Sequence, residues 1–439
     1  MSISTDFPEF TPFRITGMGA VTPFGDTVEH FRQSIMEGKS AFRPIRLFPV
    51  DTHRTGFGAE IDGAPVFDAL RADKTILSRS DNMALIAVAE ALRQAGLMDP
   101  ATNMVFLPDR TAVIVGTAAG GILGMEMFFR KRHMNLPVMS PASLLTSFPL
   151  SAIATHIARE FGITGPRLTT ATVCSSSGLA LAAAMELLES GEADYAVAAG
   201  CETLSEVTHA GFNILRSVAP DCCRPFDKNR QGLVLGEGAG AMVLERSGLP
   251  NRKDVPTLAY LSGYGLTTDL HHFTAPQPGG EAISETIEAA LKDAGIEPDQ
   301  IEYVNAHGTG TVLNDIAETR GLKHAFGGHA RKLSVSSTKS MIGHTLGAAS
   351  IMEAIATVCS LKNSLIPPTA NLTTPDPECD LDYTPLVSKK RNLRYAISNS
   401  FAFGGSNIVI AFQKESEQGM GSFQKRIPCR EPVITGIGA

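Results

Sequence analysis

Strand-like runs alternate with helix-like runs twice along this chain, once on each side of a polar break at residues 247–257 that carries Pro250, Asn251, Arg252, Lys253, Asp254 and Pro256. Before the break, residues 13–21, 111–115, 168–173 and 194–199 are short apolar, β-branched runs and read as strands. Residues 27–37, 80–95 and 150–161 read as helices; the second has Asp81 placed to cap it, Ala84, Leu85, Val88 and Leu92 on one face, and Gly96 to stop it. After the break the rhythm returns. Strands are expected at 258–263, 301–306 and 333–337, helices at 281–294 and 346–361, and a hairpin over 395–412 around Gly404-Gly405. Two such halves in series predict an α/β fold in which sheets stack with helices between them.

One joint in this pattern carries chemistry. The run Leu168 to Val173 leads straight into Cys174-Ser175-Ser176-Ser177, and then into a stretch of good helix formers that ends at Gly191. Cys174 therefore falls where a strand turns into a helix. The unpaired amides and positive dipole end of a helix favour an anion, so this position predicts a lowered thiol pKa and a candidate nucleophile.

Three loops accompany it. Asn305-Ala306-His307-Gly308-Thr309-Gly310-Thr311 follows a strand, and Ser336-Ser337-Thr338-Lys339-Ser340-Met341-Ile342-Gly343-His344 follows another. Each sets a histidine among small residues, where a neutral imidazole can donate to a carbonyl oxygen that becomes negative. Lys339 is placed to keep His344 neutral. The third loop, Phe403-Gly404-Gly405, can turn a backbone amide toward a ligand and let the ring move. A single histidine in such a loop is usually structural; two beside a candidate nucleophile point to a shared site.

Other features read more plainly. The glycine clusters at 116–121 and 232–240 lack dinucleotide and P-loop spacing, and read as close backbone packing. Met125, Met127, Phe128 and Phe129 read as core on residue type. The 133-residue gap from Cys174 to His307, with no CxxC or HxxxH pair, argues against a zinc site, and no cofactor or metal is expected. Cys222-Cys223 reads as incidental, and His271-His272 as either surface or support for the site. A net charge of −7 disfavours broad nucleic-acid binding, and no apolar run approaches the ~18 residues of a membrane span. Seven cysteines without a paired framework, and no secretory leader pattern, fit a cytoplasmic protein.

These motifs, taken in order with Arg224-Pro225-Phe226-Asp227 and Gly236-Glu237-Gly238-Ala239-Gly240, resemble the β-ketoacyl-ACP synthases, the condensing enzymes of the thiolase superfamily, over about residues 12–414. The resemblance implies a five-layered αβαβα fold built from two related halves, 12–250 and 258–414, as a homodimer or a pair with a sister subunit. It implies that Cys174 takes the acyl chain from an acyl carrier protein (ACP), with the amides of Cys174 and Phe403 as oxyanion hole. His307 and His344 would hold the thioester of malonyl-ACP, with Lys339 and Glu353 in support. Asp269, Thr309 and Thr311 would assist, Phe403 with Gly404 and Gly405 would gate the thiol, and Met125 would line the acyl pocket.

The chain departs from the family pattern at Ala402, where a glycine is usual, and at Gln231 and Leu233, where Asp and Phe are usual. The Cys174 and His307 motifs look closer to polyketide-type ketosynthases, so a dedicated type II polyketide or polyene pathway is expected, ahead of housekeeping fatty-acid elongation. A non-catalytic chain-length partner would lack the nucleophile, and a degradative thiolase would carry a second cysteine late in the chain. Arg71, Lys74 and Arg79, or Arg130-Lys131-Arg132, are candidates for contact with an acidic ACP. The tail 415–439 ends Val433-Ile434-Thr435-Gly436-Ile437-Gly438-Ala439, an echo of Ile15 to Ala20, and is expected to begin a following ketosynthase-like domain.

Overall fold

In the computed structural model, residues 12–63, 65–67, 77–137, 145–250 and 252–415 are described. Arg71, Lys74 and the echoing tail lie outside them.

Ten strands form one hydrogen-bonded sheet: β1 (Phe13–Val21), β2 (Thr111–Gly116), β3 (Arg167–Thr170), β4 (Tyr195–Glu202), β5 (Gly238–Glu245), β6 (Ala259–Thr268), β7 (Tyr303–Asn305), β8 (Ser334–Ser336), β9 (Tyr395–Phe401) and β10 (Ser406–Gln413). Their order is β8-β7-β9-β10-β6-β1-β5-β4-β2-β3. The first five strands run 1-5-4-2-3 from the centre outward, and the second five run 6-10-9-7-8, the same path. The halves join where Phe13, Arg14 and Ile15 pair antiparallel with Leu261, Tyr260 and Ala259.

Apart from the edge strand β3, each half-sheet is largely buried on both faces, which is why most of its strands read as continuous apolar runs. In β2, Ala112 and Ile114 point into one core while Val113 and Val115 point into another. In β10, Ile408 and Ile410 share the first core, and Val409 and Ala411 enter a third. Two helices, α5 (Ser176–Glu189) and α9 (Ala349–Asn363), fill the shared core and touch strands of both halves. On the outer faces lie α2 (Arg79–Gln94) with α4 (Ala152–Phe161), and α7 (Glu281–Ala294) with α8 (Val312–Phe326). The layers are therefore helix, sheet, helix, sheet, helix. Every residue of α9 from Ala349 to Leu361 is buried, as a helix enclosed on all sides requires.

Several local expectations are corrected. The strand before Cys174 ends at Thr170, and Val173 takes φ +54, a conformation that a β-branched residue adopts only when its surroundings force it. Helix α2 is capped by Ser78, with Asp81 three residues on closing a capping box. Helix α3 (Ile122–His133) has no buried residue; Met127 is 44% and Phe129 60% exposed, so that apolar cluster is surface and not core. The glycine clusters do serve close packing: a Cβ on Gly116 would lie 2.3 Å from the Ser177 amide, and one on Gly236 would lie 2.2 Å from the Ile342 carbonyl. No helix among the described residues is long and apolar enough to cross a membrane. Helices α1 (Val28–Met36) and α6 (Glu206–Ile214) complete the set used below.

Candidate active site

Cys174, His307, His344 and Phe403 come from four separate stretches and line one cavity of about 280 Å³. Cys174 sits in a single 3-10 turn, Val173–Ser175, that opens directly into α5. Its carbonyl accepts from Ser350 Oγ of α9 at 3.2 Å. The forced turn at Val173 and the anchored carbonyl fix where the thiol points. Burial pushes that thiol up to about 12, against the opposing Lys339 charge and the Phe403 amide, which donates to it. The lowering expected from the helix terminus is not realised here. Desolvation in an apolar wall of Leu204, Phe212, Leu233 and Leu346 outweighs it.

Both histidines present the same ring nitrogen. Lys339 Nζ lies 3.2 Å from His307 Nδ1 and donates to the His307 carbonyl at 2.7 Å. An ammonium cannot accept, so Nδ1 holds a lone pair and the ring proton is on Nε2. For His344 the Leu346 amide donates to Nδ1 at 3.2 Å, with the same consequence. The rings meet edge to face, 5.4 Å between centroids. Burial, then Lys339, holds both well below the ordinary histidine value, with His344 adding to the effect on His307. The result is two neutral N–H donors.

Lys339 is itself buried and ion-paired with Glu353 of α9. Burial pushes Glu353 up to about 7 despite that partner. A second carboxylate was not foreseen: Glu318 of α8 accepts the amides of His307 and Gly308, both at 2.8 Å, and so fixes the His307 loop. The signal for it is the polar face Asn314, Asp315, Glu318, Thr319 on a helix whose polar residues should face water; all four are buried.

Phe403 stacks on Phe212 of α6, 5.7 Å between centroids and 23° between planes. Gly404 and Gly405 have φ of +83 and +81. At Gly405 a Cβ would also lie 2.0 Å from the Asp269 carbonyl. Asp269 braces this turn: its amide donates to Gly405 O at 2.8 Å, and its carboxylate accepts from His271 N and Gln277 N. Thr309 and Thr311 share a 2.9 Å hydroxyl bond and line the cavity, as do Gln231, Leu233, His272 and Ala402.

Other expected positions fall elsewhere. Met125 lies on the exposed helix α3 and does not line this cavity. Arg79 is mostly buried and ion-paired with Glu237 at 2.6 Å, whereas Arg130 is ion-paired with Glu206 at the surface. Cys223 is not incidental: its thiol, buried behind the His307 loop, donates to the Thr309 carbonyl at 3.2 Å.

Comparison with known proteins gives matches over most of the chain. Residues 11–248 match the family described as β-ketoacyl synthase, N-terminal domain, and residues 258–373 match β-ketoacyl synthase, C-terminal domain. The chain is 36% identical over 416 residues to 3-oxoacyl-[acyl-carrier-protein] synthase 2 of Synechocystis sp., covering 91% of this chain and 97% of that relative. It is 37% identical over 401 residues to nodulation protein E of Rhizobium sp., with 91% and 98% covered. Among solved structures, the ishigamide ketosynthase/chain length factor superposes with a TM-score of 0.84 at 30% identity, over 92% of this chain and 99% of that one. A type II PKS ketosynthase bound to the hexaketide, in complex with its acyl-carrier protein, gives 0.81 at 28%, over 92% and 100%.

Proposed function

The chain belongs to the β-ketoacyl synthase family, whose members are acyl-transferring ketosynthases, and on that premise we propose that it condenses a Cys174-bound acyl chain with malonyl-ACP in a dedicated type II polyketide or polyene pathway. The observation that carries the chemistry is the single cavity shared by Cys174, its Phe403 amide donor and two neutral imidazoles.

In the first half-reaction the Cys174 sulfur attacks the thioester carbonyl of acyl-ACP. The oxyanion is held by the Cys174 and Phe403 amides and collapses to acyl-Cys174 as the bond to the carrier sulfur breaks, and the proton given up by the Cys174 thiol ends on the departing carrier thiol. Phe403 must swing off Phe212 for this, which its two glycines allow. In the second half-reaction the thioester oxygen of malonyl-ACP accepts from Nε2–H of His307 and His344. The bond to the carboxylate carbon breaks, CO2 leaves, and its electron pair becomes an enolate stabilised by those two donors. The enolate carbon attacks acyl-Cys174, and the Cys174 sulfur departs as 3-oxoacyl-ACP forms.

Neutral donors predict an unusual pH profile. Their pKa values lie well below 6.5, so the protonated fraction stays small as pH falls from about 8 to 6. The ring 15N shifts of His307 and His344 are expected to keep the neutral pattern across that range, in which Glu353 and Glu202, both raised to about 7, are the carboxyls that titrate. Protonation of either ring with a midpoint near 6.5 would overturn the assignment of two neutral donors.

The dedicated pathway is supported by the ketosynthase/chain length factor and hexaketide-bound neighbours, and housekeeping elongation by the 3-oxoacyl-ACP synthase 2 relatives. Incubation with malonyl-ACP and a panel of saturated, 3-oxo and polyene acyl-ACPs separates them by intact mass. Preference for saturated long chains sinks the dedicated reading.

A second ketosynthase-fold subunit is part of this proposal. Among the described residues strand β3 pairs only with β2, leaving an open edge on which Leu168 is 42% exposed, and α3 adds exposed Met127 and Phe129. Leu168→Lys is expected to halve the particle mass by light scattering, alone or with the sister subunit. An unchanged mass removes β3 from the interface.

A further inference from the structure

A carboxylate outside the set used above holds the turn that orients His344. Glu202, at the C-terminal end of β4, is fully buried. Its Oε2 accepts the Ala118 amide at 2.7 Å and the Gly347 amide at 3.1 Å, and its Oε1 accepts the Ala119 amide at 3.1 Å. Among the described residues no lysine or arginine is paired with it, and burial pushes it up to about 7 despite these amides. An uncompensated buried carboxylate is costly, and here it is spent on three backbone donors from two loops.

Those loops bear on the chemistry. Gly347 directly follows Leu346, whose amide is the donor that holds His344 Nδ1. Leu346 has φ +44, a strained position for leucine that something must hold. Ala118 and Ala119 belong to the glycine-rich turn after β2, and Ala118 packs on the apolar cluster around Cys174. A Cβ on Gly347 would lie 2.3 Å from the Ala118 amide and 2.6 Å from Glu202 Oε2, so the two turns meet at the carboxylate.

We propose that Glu202 is a positioning residue for decarboxylation: by gripping Gly347 it fixes the Thr345–Gly347 turn, keeps the Leu346 amide on His344 Nδ1, and thereby keeps the ring proton on Nε2, facing the cavity. This rests on the reading of His344 as a donor to the malonyl thioester. If the turn relaxes, the ring can take its proton on Nδ1, and Nε2 then offers a lone pair to an oxygen that needs a donor. Glutamine cannot substitute. Three amide donors converge on two oxygens, and a side-chain NH2 would face at least one N–H.

The test uses Glu202→Gln and Gly347→Ala in the full chain; the second keeps the Glu202 side chain but forces the turn and the carboxylate apart. Three quantities are read: the burst of acyl transfer to Cys174 by intact mass, malonyl-ACP decarboxylation, and the ring 15N shifts of His344. Acyl transfer is expected within about 3-fold of wild type while decarboxylation falls about 30-fold, less than for outright loss of an oxyanion donor. The His344 nitrogens should move from an Nε2–H pattern to a mixture of tautomers. Unchanged decarboxylation in folded variants, an equal fall in both half-reactions, or an unchanged tautomer overturns the proposal. If Glu202→Gln does not fold, Gly347→Ala carries the test. A wild-type protein that neither takes an acyl group nor decarboxylates malonyl-ACP refutes the condensation reading instead, and the 15N comparison still decides the role of Glu202.

Discussion

Cys174→Ala is expected to abolish acyl-enzyme formation and lower condensation by a factor on the order of 10⁵ or more, the scale seen when a covalent nucleophile is removed. No neighbour can take over. Ser175 Oγ donates to the Thr172 carbonyl at 2.9 Å, Ser176 Oγ donates to the Val173 carbonyl at 2.7 Å, and Ser177 Oγ accepts the Ile351 amide at 3.0 Å. Each hydroxyl is tied to backbone, the first two to the turn itself and Ser177 to α9, and none of the three lines the cavity. Decarboxylation of malonyl-ACP should survive, because Lys339 is bonded to His307 and Glu353, and His344 to the Leu346 amide, and none of these bonds involves the sulfur. Thermal melting should barely move, since the lost atom leaves a small void beside an existing cavity. Intact mass after incubation with acyl-ACP, together with CO2 release, checks both halves. A variant that still forms 3-oxoacyl-ACP would remove Cys174 from its assigned role.

The residues that meet in the cavity were legible because each is announced locally: a cysteine at a strand-to-helix joint, histidines among small residues, and two glycines after a phenylalanine. The alternation of strand and helix was legible for a similar reason, since burial on both faces leaves nothing but apolar residues between turns. What could not be read depends on distant chain segments. The helix terminus at Cys174 predicts a lowered thiol pKa, but the desolvation that raises it comes from Phe212, Leu233 and Leu346, far away in sequence. Glu318 and Glu202 look like ordinary surface carboxylates until tertiary structure buries them against backbone amides. Helix α3 misleads in the opposite sense. Its methionines and phenylalanines have core composition, yet none is buried among the described residues: Met125 and Phe128 are half-covered, and Met127 and Phe129 are exposed.

Lys339→Met is expected to lower both stability and decarboxylation, and a second substitution should separate the two effects. The ammonium is 1% exposed and contacts Glu353, His307 Nδ1 and the His307 carbonyl. Methionine fills much the same volume, so the loss is electrostatic. Removing one partner of a buried ion pair costs roughly 3–5 kcal/mol, because the other charge is stranded. Glu353 already has its pKa raised to about 7; without the ammonium it rises further. A carboxyl with a raised folded pKa binds a proton that the unfolded chain releases above about 4.5, so this contribution to stability is present below that pH and lost as pH rises through the folded value. The melting temperature of Lys339→Met should therefore fall more steeply than that of wild type between about pH 5 and 8. Decarboxylation should drop about 10²-fold, the scale for a lost oxyanion donor, because His307 Nδ1 no longer has a cation to hold its tautomer. Adding Glu353→Gln removes the stranded charge, so Lys339→Met/Glu353→Gln should recover much of the melting temperature without recovering activity. If activity returns along with stability, Lys339 serves only to neutralise Glu353, and its contact with His307 has no part in the reaction.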